Sequence, residues 1–310
     1  MPDTETAIHT ALLNLEHLSG LQPGDYTIQR LGGLTNLVYR VDLPDEALIV
    51  RIPGAGTSEY IDRKVELHNA RAAARAGISA EILWGDGDSG VMVSRCFDGF
   101  TTMTPELFHS RAGAAARAGR ALAQLHNSGQ VFEFRFELFA MIDNYLTLLS
   151  GKDIDLPEGY HQIVAAAEPV KQALAHSPAP LAPCHCDPLC ENFLDDGESM
   201  RIIDWEYSGM NDPLWDLGDL SVEAGFDAAR DAEMLEAYFN RAPSPAEVGR
   251  MVIYKAMCDL LWTLWGLIQH ADGNVAEDFN AYATGRFNRC RELMQTPGFA
   301  GHLAAVRGGF

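Results

Sequence analysis

The sequence predicts an α+β chain of two unequal lobes, a small N-terminal sheet carrying one helix and a larger, mainly helical C-terminal part. Three observations carry that expectation. Short apolar runs bounded by turn residues are confined to residues 26–96. Beyond Cys96 the apolar period lengthens to that of helices. A length of 310 residues is enough for one large domain or two smaller ones.

Taken in order, the N-terminal stretch MPDTETAIHTALLNLEHLSG has acids and an amphipathic helical period. A signal peptide needs a basic start and a continuous apolar run, so a soluble, cytoplasmic protein is expected. DYTIQRL, LVYRVDL, ALIVRIP and GVMVSRC then read as strands separated by Gly, Pro or acidic turns. One helix interrupts them. SEYIDRKVELHNARAAARAG spaces Ile61, Val65, Leu67, Ala72 and Ala73 among charges, opens on a Ser followed by an acid, and stops at Gly77. Helices are expected over residues 107–125, 136–149, 160–175, 228–239 and 245–270. The lobes should meet near SRCFDGF, giving residues 1–96 and 97–310. AGAAARAGRALAQLH is Ala-rich, but its spaced leucines and lack of Pro make it a packed helix.

A formal charge of −20 repels nucleic acid and anionic membranes, and favours a small cationic substrate if a site for one exists. No run approaches the roughly 18 uninterrupted apolar residues of a membrane span, so no membrane insertion is expected. Six cysteines in a chain of this size, three of them clustered, read as reduced thiols rather than a disulfide framework.

That cluster, CHCDPLCENF at residues 184–193, admits two chemistries. A zinc site built on Cys184, His185, Cys186 and Cys190 has the wrong spacing, since successive side chains on an extended chain alternate faces and no second Cys-x-x-Cys pair follows. The cysteines are better read as small fillers around a tight loop. The carboxylate reading is more specific. Asn192 follows Asp187 by five positions, and Asp204 follows Asn192 by twelve within IIDWEY, which brings two carboxylates and an amide together across a hairpin. Phosphoryl transfer needs an acceptor for a hydroxyl proton and oxygen ligands for Mg²⁺. Asp187 fits the first role, Asn192 and Asp204 the second.

With these residues the chain resembles the choline/ethanolamine kinase family, within the superfamily of aminoglycoside phosphotransferases and protein-kinase-like enzymes. LGGLTNLVYRV resembles the phosphate loop of the bacterial members, ALIVRIPG their third strand, and PLWDLGDLSVE their structural Asp segment. The resemblance implies a protein-kinase-like fold, ATP and Mg²⁺ as cofactors, and a small cationic amino alcohol as the acceptor. In the loop itself Gly32 and Gly33 let backbone N–H groups approach phosphate, with Thr35 and Asn36 as side-chain donors. Arg51 stands where most of the superfamily carries Lys, and its guanidinium can hold phosphate oxygens bidentately. Glu66 is the candidate to orient Arg51; an exposed helix ion pair is the alternative reading of its spacing.

The acceptor is read from MCDLLWTLWGLIQ and FNAYATGRF. Trp262 and Trp265 lie three apart on one helix, and Tyr282 follows. By spacing alone they are core or cage. A cage of aromatic faces holds a quaternary ammonium at about 0.5–2 kcal/mol per face. The family carries a similar Trp-x-x-Trp and downstream Tyr, which selects the cage. By the same resemblance Asp216 stabilises the catalytic loop, His185 braces it, Glu223 supplies negative charge near the acceptor's cation, and Glu206 and Trp215 border the pocket. Adenine is expected against the hinge at residues 95–97. The expected reaction is transfer of the γ-phosphoryl group of ATP to choline. Ethanolamine, thiamine or an aminoglycoside as acceptor, and a silent kinase-like binding protein, are the alternatives.

Overall fold

The computed structural model describes residues 4–32, 36–54 and 61–309. Helix α1 (Thr4–Leu12) buries Ile8, Ala11 and Leu12 against the first sheet. That sheet comprises β1 (Thr27–Arg30), β2 (Asn36–Asp42), β3 (Ala47–Pro53), β4 (Ile82–Gly85) and β5 (Met92–Arg95), in the order β1-β2-β3-β5-β4, with every pairing antiparallel. Val41, Leu48, Val50 and Val93 form its buried face. Strand β4 was not among the expected strands; Ile82, Leu83 and Trp84 are all half-buried, so its edge position gives no alternation to read.

Helix α2 (Arg63–Arg75) crosses between β3 and β4 in sequence. Its cap is Asp62, whose carboxylate accepts from Lys64 N (3.0 Å) and Val65 N (3.2 Å), so the helix begins later than the expected Ser58, which lies outside the described residues. Leu67, Ala70, Ala72 and Ala73 face away from the sheet core and join the apolar core of the larger lobe.

The larger lobe begins with β6 (Thr101–Thr102), α3 (Pro105–Ser110) and α4 (Ala114–His126). The single helix expected over 107–125 is therefore two. Gly113 has φ +71°, a left-handed turn that a side chain opposes, and it separates them. The helix expected over 160–175 also divides, after α5 (Leu138–Ser150), into α6 (Tyr160–Ala166) and α7 (Glu168–His176). Pro169 lacks the N–H that a continuous helix would need there. Strands β7 (Ala182–Cys184), β8 (Phe193–Asp195), β9 (Met200–Ile202) and β10 (Gly209–Asn211) precede α8 (Leu214–Glu223), α9 (Ala228–Phe239), α10 (Pro245–Ala271), α11 (Phe279–Met294) and α12 (Phe299–Arg307).

Helix α10 organises this lobe. Ser244 and Glu247 cap its start reciprocally, and its 27 residues span about 40 Å. It is long and apolar enough to cross a membrane by composition, but 83% of that apolar window is buried inside the protein, which makes it a core helix. Two strand pairings then fix the loops that matter for chemistry. In the β8–β9 hairpin Phe193 pairs with Ile202, and in the β7–β10 pair Cys184 pairs with Gly209, so the chain after Cys184 and the chain after Ile202 emerge side by side.

Candidate active site

The loop after β7 is held by one buried carboxylate. Asp216, at the start of α8, accepts from the backbone N–H of His185 (2.7 Å) and of Cys186 (2.9 Å), and its Oδ2 also meets His126 Nε2 at 3.0 Å. Cys186 has φ +67° and Asp204 has φ +66°. Both are non-glycine residues in the left-handed region, a conformation that persists only where the surroundings impose it. His185 donates Nε2–H to the Ile203 carbonyl at 2.8 Å, tying the first loop to the second, and burial lowers its pKa and keeps the ring neutral. Cys184, His126 and Asp216 approach one another closely enough to hold a metal. The Asp216 oxygens are already committed to loop N–H groups and His126, so this group is a brace.

Asp187 is followed by a tight turn in which Leu189 N bonds the Asp187 carbonyl at 2.8 Å. Asn192 donates Nδ2–H to the same carbonyl at 3.0 Å, which leaves its side-chain oxygen as the atom available to a cation. Burial, then the negative charges of Glu223 and Asp204, push the Asp187 carboxyl well above the usual carboxylate range. Asp204 is pushed up to about 7 by burial and by Glu206, against the pull of Arg51.

Arg51 on β3 forms a close ion pair with Glu66 on α2 and reaches Asp204 at 3.3 Å. Arg63 bonds Glu66 at 2.8 Å and Glu206 at 2.6 Å. The alternative of an exposed ion pair for Glu66 is thereby excluded; its side chain is fully buried. Carboxylate oxygens of Glu66, Asp204 and Glu206 lie within 4.8 Å of one another. The Nε and Nη2 atoms of Arg51 and the whole side-chain amide of Asn36 are buried with no partner among the described residues. Such donors fit phosphate oxygens. Gly32 precedes them at the end of the described loop; Gly33 and Thr35 lie outside the described residues.

On the other side of Asp187, α10 presents Trp262 and Trp265 with ring centroids 6.2 Å apart at 87°. Tyr207 meets Trp262 at 5.5 Å and accepts from Trp265 Nε1 at 3.0 Å. Tyr282 lies 5.8 Å from Trp265, but the Arg286 guanidinium sits 4.5 Å over its ring. A Cβ on Gly266 would meet the Tyr282 ring at 2.6 Å, so the ring also packs directly on α10. Asp219 accepts from Trp262 Nε1 at 3.2 Å. Glu223 forms a close ion pair with Arg286, which reaches Asp259 at 3.2 Å.

Two expected pocket residues stand elsewhere. Glu206 belongs to the Arg63 and Glu66 cluster rather than to the tryptophans. Trp215 is fully buried between Phe136 and Tyr254 and donates Nε1–H to the Cys186 carbonyl at 3.0 Å, supporting the loop from below. Arg63, Tyr207, Asp219, Asp259 and Arg286 were not among the expected site residues. Asp219 had a signal, since it follows Asp216 by three positions on the same helix.

The model of the phosphotransferase enzyme family matches residues 27–250, most of the chain. A crystal structure of a choline/ethanolamine kinase family protein from Mesorhizobium loti is 57% identical, with a TM-score of 0.89 over 99% of this chain and 100% of that one. The chain belongs to the choline/ethanolamine kinase family. As a member it is a phosphotransferase with an alcohol acceptor, built on the two-lobed protein-kinase-like fold. The kinase is also similar to choline kinase LicA from Streptococcus pneumoniae, at 26% identity and a TM-score of 0.75 over 92% of this chain and 99% of that one. A LicA complex with AMP is 25% identical, with a TM-score of 0.72 over 95% and 99% of the two chains. Ethanolamine kinase 2 of Mus musculus is 26% identical over 83% of this chain and 73% of its own length.

Proposed function

We propose that this kinase transfers the γ-phosphoryl group of ATP to the hydroxyl of choline. The observation that carries the choice of acceptor is the aromatic group formed by Trp262, Trp265 and Tyr207 beside buried acids. Indole and phenol faces attract a trimethylammonium group without offering hydrogen bonds it cannot use. AMP bound to LicA supports an adenine nucleotide as the donor. The hinge backbone beyond Cys96 is the place for adenine, because Cys96 N already bonds the Ala47 carbonyl at 3.2 Å.

In this reading Asp187 accepts the proton of the acceptor hydroxyl, and the high affinity of its buried carboxyl for a proton suits it to that task. Arg51, held by Glu66, and the loop from Gly32 to Asn36 position the phosphates. Asn192 and Asp204 would hold Mg²⁺, which when bound neutralises the charge that develops on the transferring group. Asp216, His126 and His185 keep the Asp187 loop in its left-handed turn. The division at residue 96 into a nucleotide lobe and a catalytic lobe belongs to the same proposal, supported by the separate apolar core of α1 and the first sheet, although α2, Ile78 and Met92 pack into the core of the larger lobe. Six free cysteines accord with a reducing, cytoplasmic setting.

Ethanolamine is the second reading, favoured by the buried carboxylate of Asp219 and the half-buried one of Glu223, which suit the three N–H donors of a primary ammonium. ADP release with Mg-ATP against choline, ethanolamine, thiamine and kanamycin at equal concentration tests both. Preference for choline upholds the proposal. Turnover with ethanolamine or kanamycin alone keeps the kinase and removes the cage, and silence with all four overturns the reading.

A further inference from the structure

Helix α8 carries three acids, Asp216, Asp219 and Glu223, and the three are not equivalent. Asp216 is consumed by the loop N–H groups and His126. Glu223 is neutralised by Arg286, which Asp259 holds in turn. Asp219 is 1% exposed, and only its Oδ2 has a partner, the Trp262 indole N–H. Its Oδ1 is buried with nothing bonded to it among the described residues. A buried carboxylate oxygen without a donor or counter-charge is costly to keep. Among the described residues the charged groups that face it are Asp187, Glu223 and Arg286, and the one cation of these is already shared between Glu223 and Asp259.

We propose that Asp219, rather than Glu223, is the counter-ion of the acceptor's ammonium group, its open Oδ1 facing the cation that the Trp262 and Trp265 rings enclose. This rests on the reading of the acceptor as a cationic amino alcohol. The attraction acts through a water-poor, weakly screening interior, where one unmatched charge discriminates strongly between a cation and a neutral molecule of the same shape. While no cation is present, burial and the neighbouring Glu223 raise the Asp219 carboxyl well above the usual range, which spares the protein interior an uncompensated charge. Glu223 and Arg286 then serve to fix the pocket wall, and Arg286 covers a face of Tyr282 that the cation therefore does not use.

The test compares choline with its uncharged carbon isostere, dimethylbutanol, as acceptors for the full-length wild type and for D219N, D219E and E223Q. In D219N the amide keeps the shape and still accepts from Trp262, but the charge is gone. The ratio of kcat/KM for choline over dimethylbutanol should fall at least about tenfold, carried by KM for choline, with KM for ATP unchanged. D219E should restore most of the ratio, and E223Q should preserve it. Retention of the wild-type ratio in D219N, or its collapse in E223Q alone, overturns the assignment. Should D219N fail to fold, D219S is measured in its place with the same outcomes. Failure of the wild type to phosphorylate any amino alcohol overturns the acceptor reading itself, which separates that failure from the failure of Asp219 as counter-ion.

Discussion

Two clusters of charge flank Asp187, and they are balanced differently. On one side Arg51 and Arg63 serve Glu66, Asp204 and Glu206, and each arginine reaches two of the acids. On the other side Arg286 answers Glu223 and Asp259, and Arg289 pairs with Asp259 at 2.7 Å, while among the described residues Asp219 and Asp187 have no basic partner in contact. The first cluster is assembled before any ligand arrives. The second has the larger excess of acids over arginines, which in the proposed reading makes it the receptor for the acceptor's cation. In the proposed reading the difference keeps a polyanionic nucleotide and a cationic acceptor, which meet a few bonds apart, from exchanging places.

The comparison breaks most severely at the residue between the clusters. Asp187→Ala should lower turnover by about 10²–10⁴-fold while nucleotide binding persists, as ADP release and a nucleotide titration will show; near-normal turnover would remove Asp187 as the base. Glu66→Ala attacks the cluster in which each arginine serves two acids, by leaving Arg51 and Arg63 buried with fewer partners. It should cost about 3–5 kcal/mol in denaturant unfolding and raise KM for ATP, with the acceptor KM little changed. Trp265→Ala attacks the surplus cluster instead. Losing one aromatic face should weaken the acceptor by about 0.5–2 kcal/mol, read as a higher KM for choline at constant KM for ATP. A variant that merely unfolds would show Trp265 to be core.

The smallest effect is on stability against pH. The Asp219 carboxyl is raised in the folded state by burial first and Glu223 second, so the folded protein holds a proton that the unfolded chain releases near the ordinary Asp value. Its contribution is therefore complete below that ordinary value and is lost as pH rises through the raised one. Asp219→Asn has no such dependence. Its Tm relative to wild type should climb as pH increases, the reverse of its effect on choline selectivity, and a Tm difference independent of pH would show that Asp219 ionises freely.

The parts that were legible in the sequence are local. Asp187, Asn192 and Asp204 sit within 18 residues, on the loops that flank the β8–β9 hairpin, which the β8–β9 and β7–β10 pairings bring side by side. Arg51 and Glu66 were legible as a strand residue and a nearby helix acid. What escaped depends on distant partners: Arg63 with Glu206 and Arg286 with Glu223 are 143 and 63 residues apart, and no periodicity links them. Trp215 was misplaced because an aromatic beside a functional motif can support the loop from the core as readily as line the pocket. The split helices turned on one φ at Gly113 and one missing N–H at Pro169, each too local to disturb the apolar period.

The crowded thiols around the catalytic loop have a practical consequence. Cys184, Cys186, Cys190, Cys258 and Cys290 are all buried, and burial pushes each thiol up, away from the reactive thiolate. Cys96 alone is partly open to solvent, beside Arg40. An alkylating reagent meeting the native kinase therefore finds one accessible sulfur, and the remaining five become available only as the larger lobe opens. Counting modified cysteines by mass against time turns the loop's own filler residues into a clock for the unfolding of the lobe that carries the chemistry.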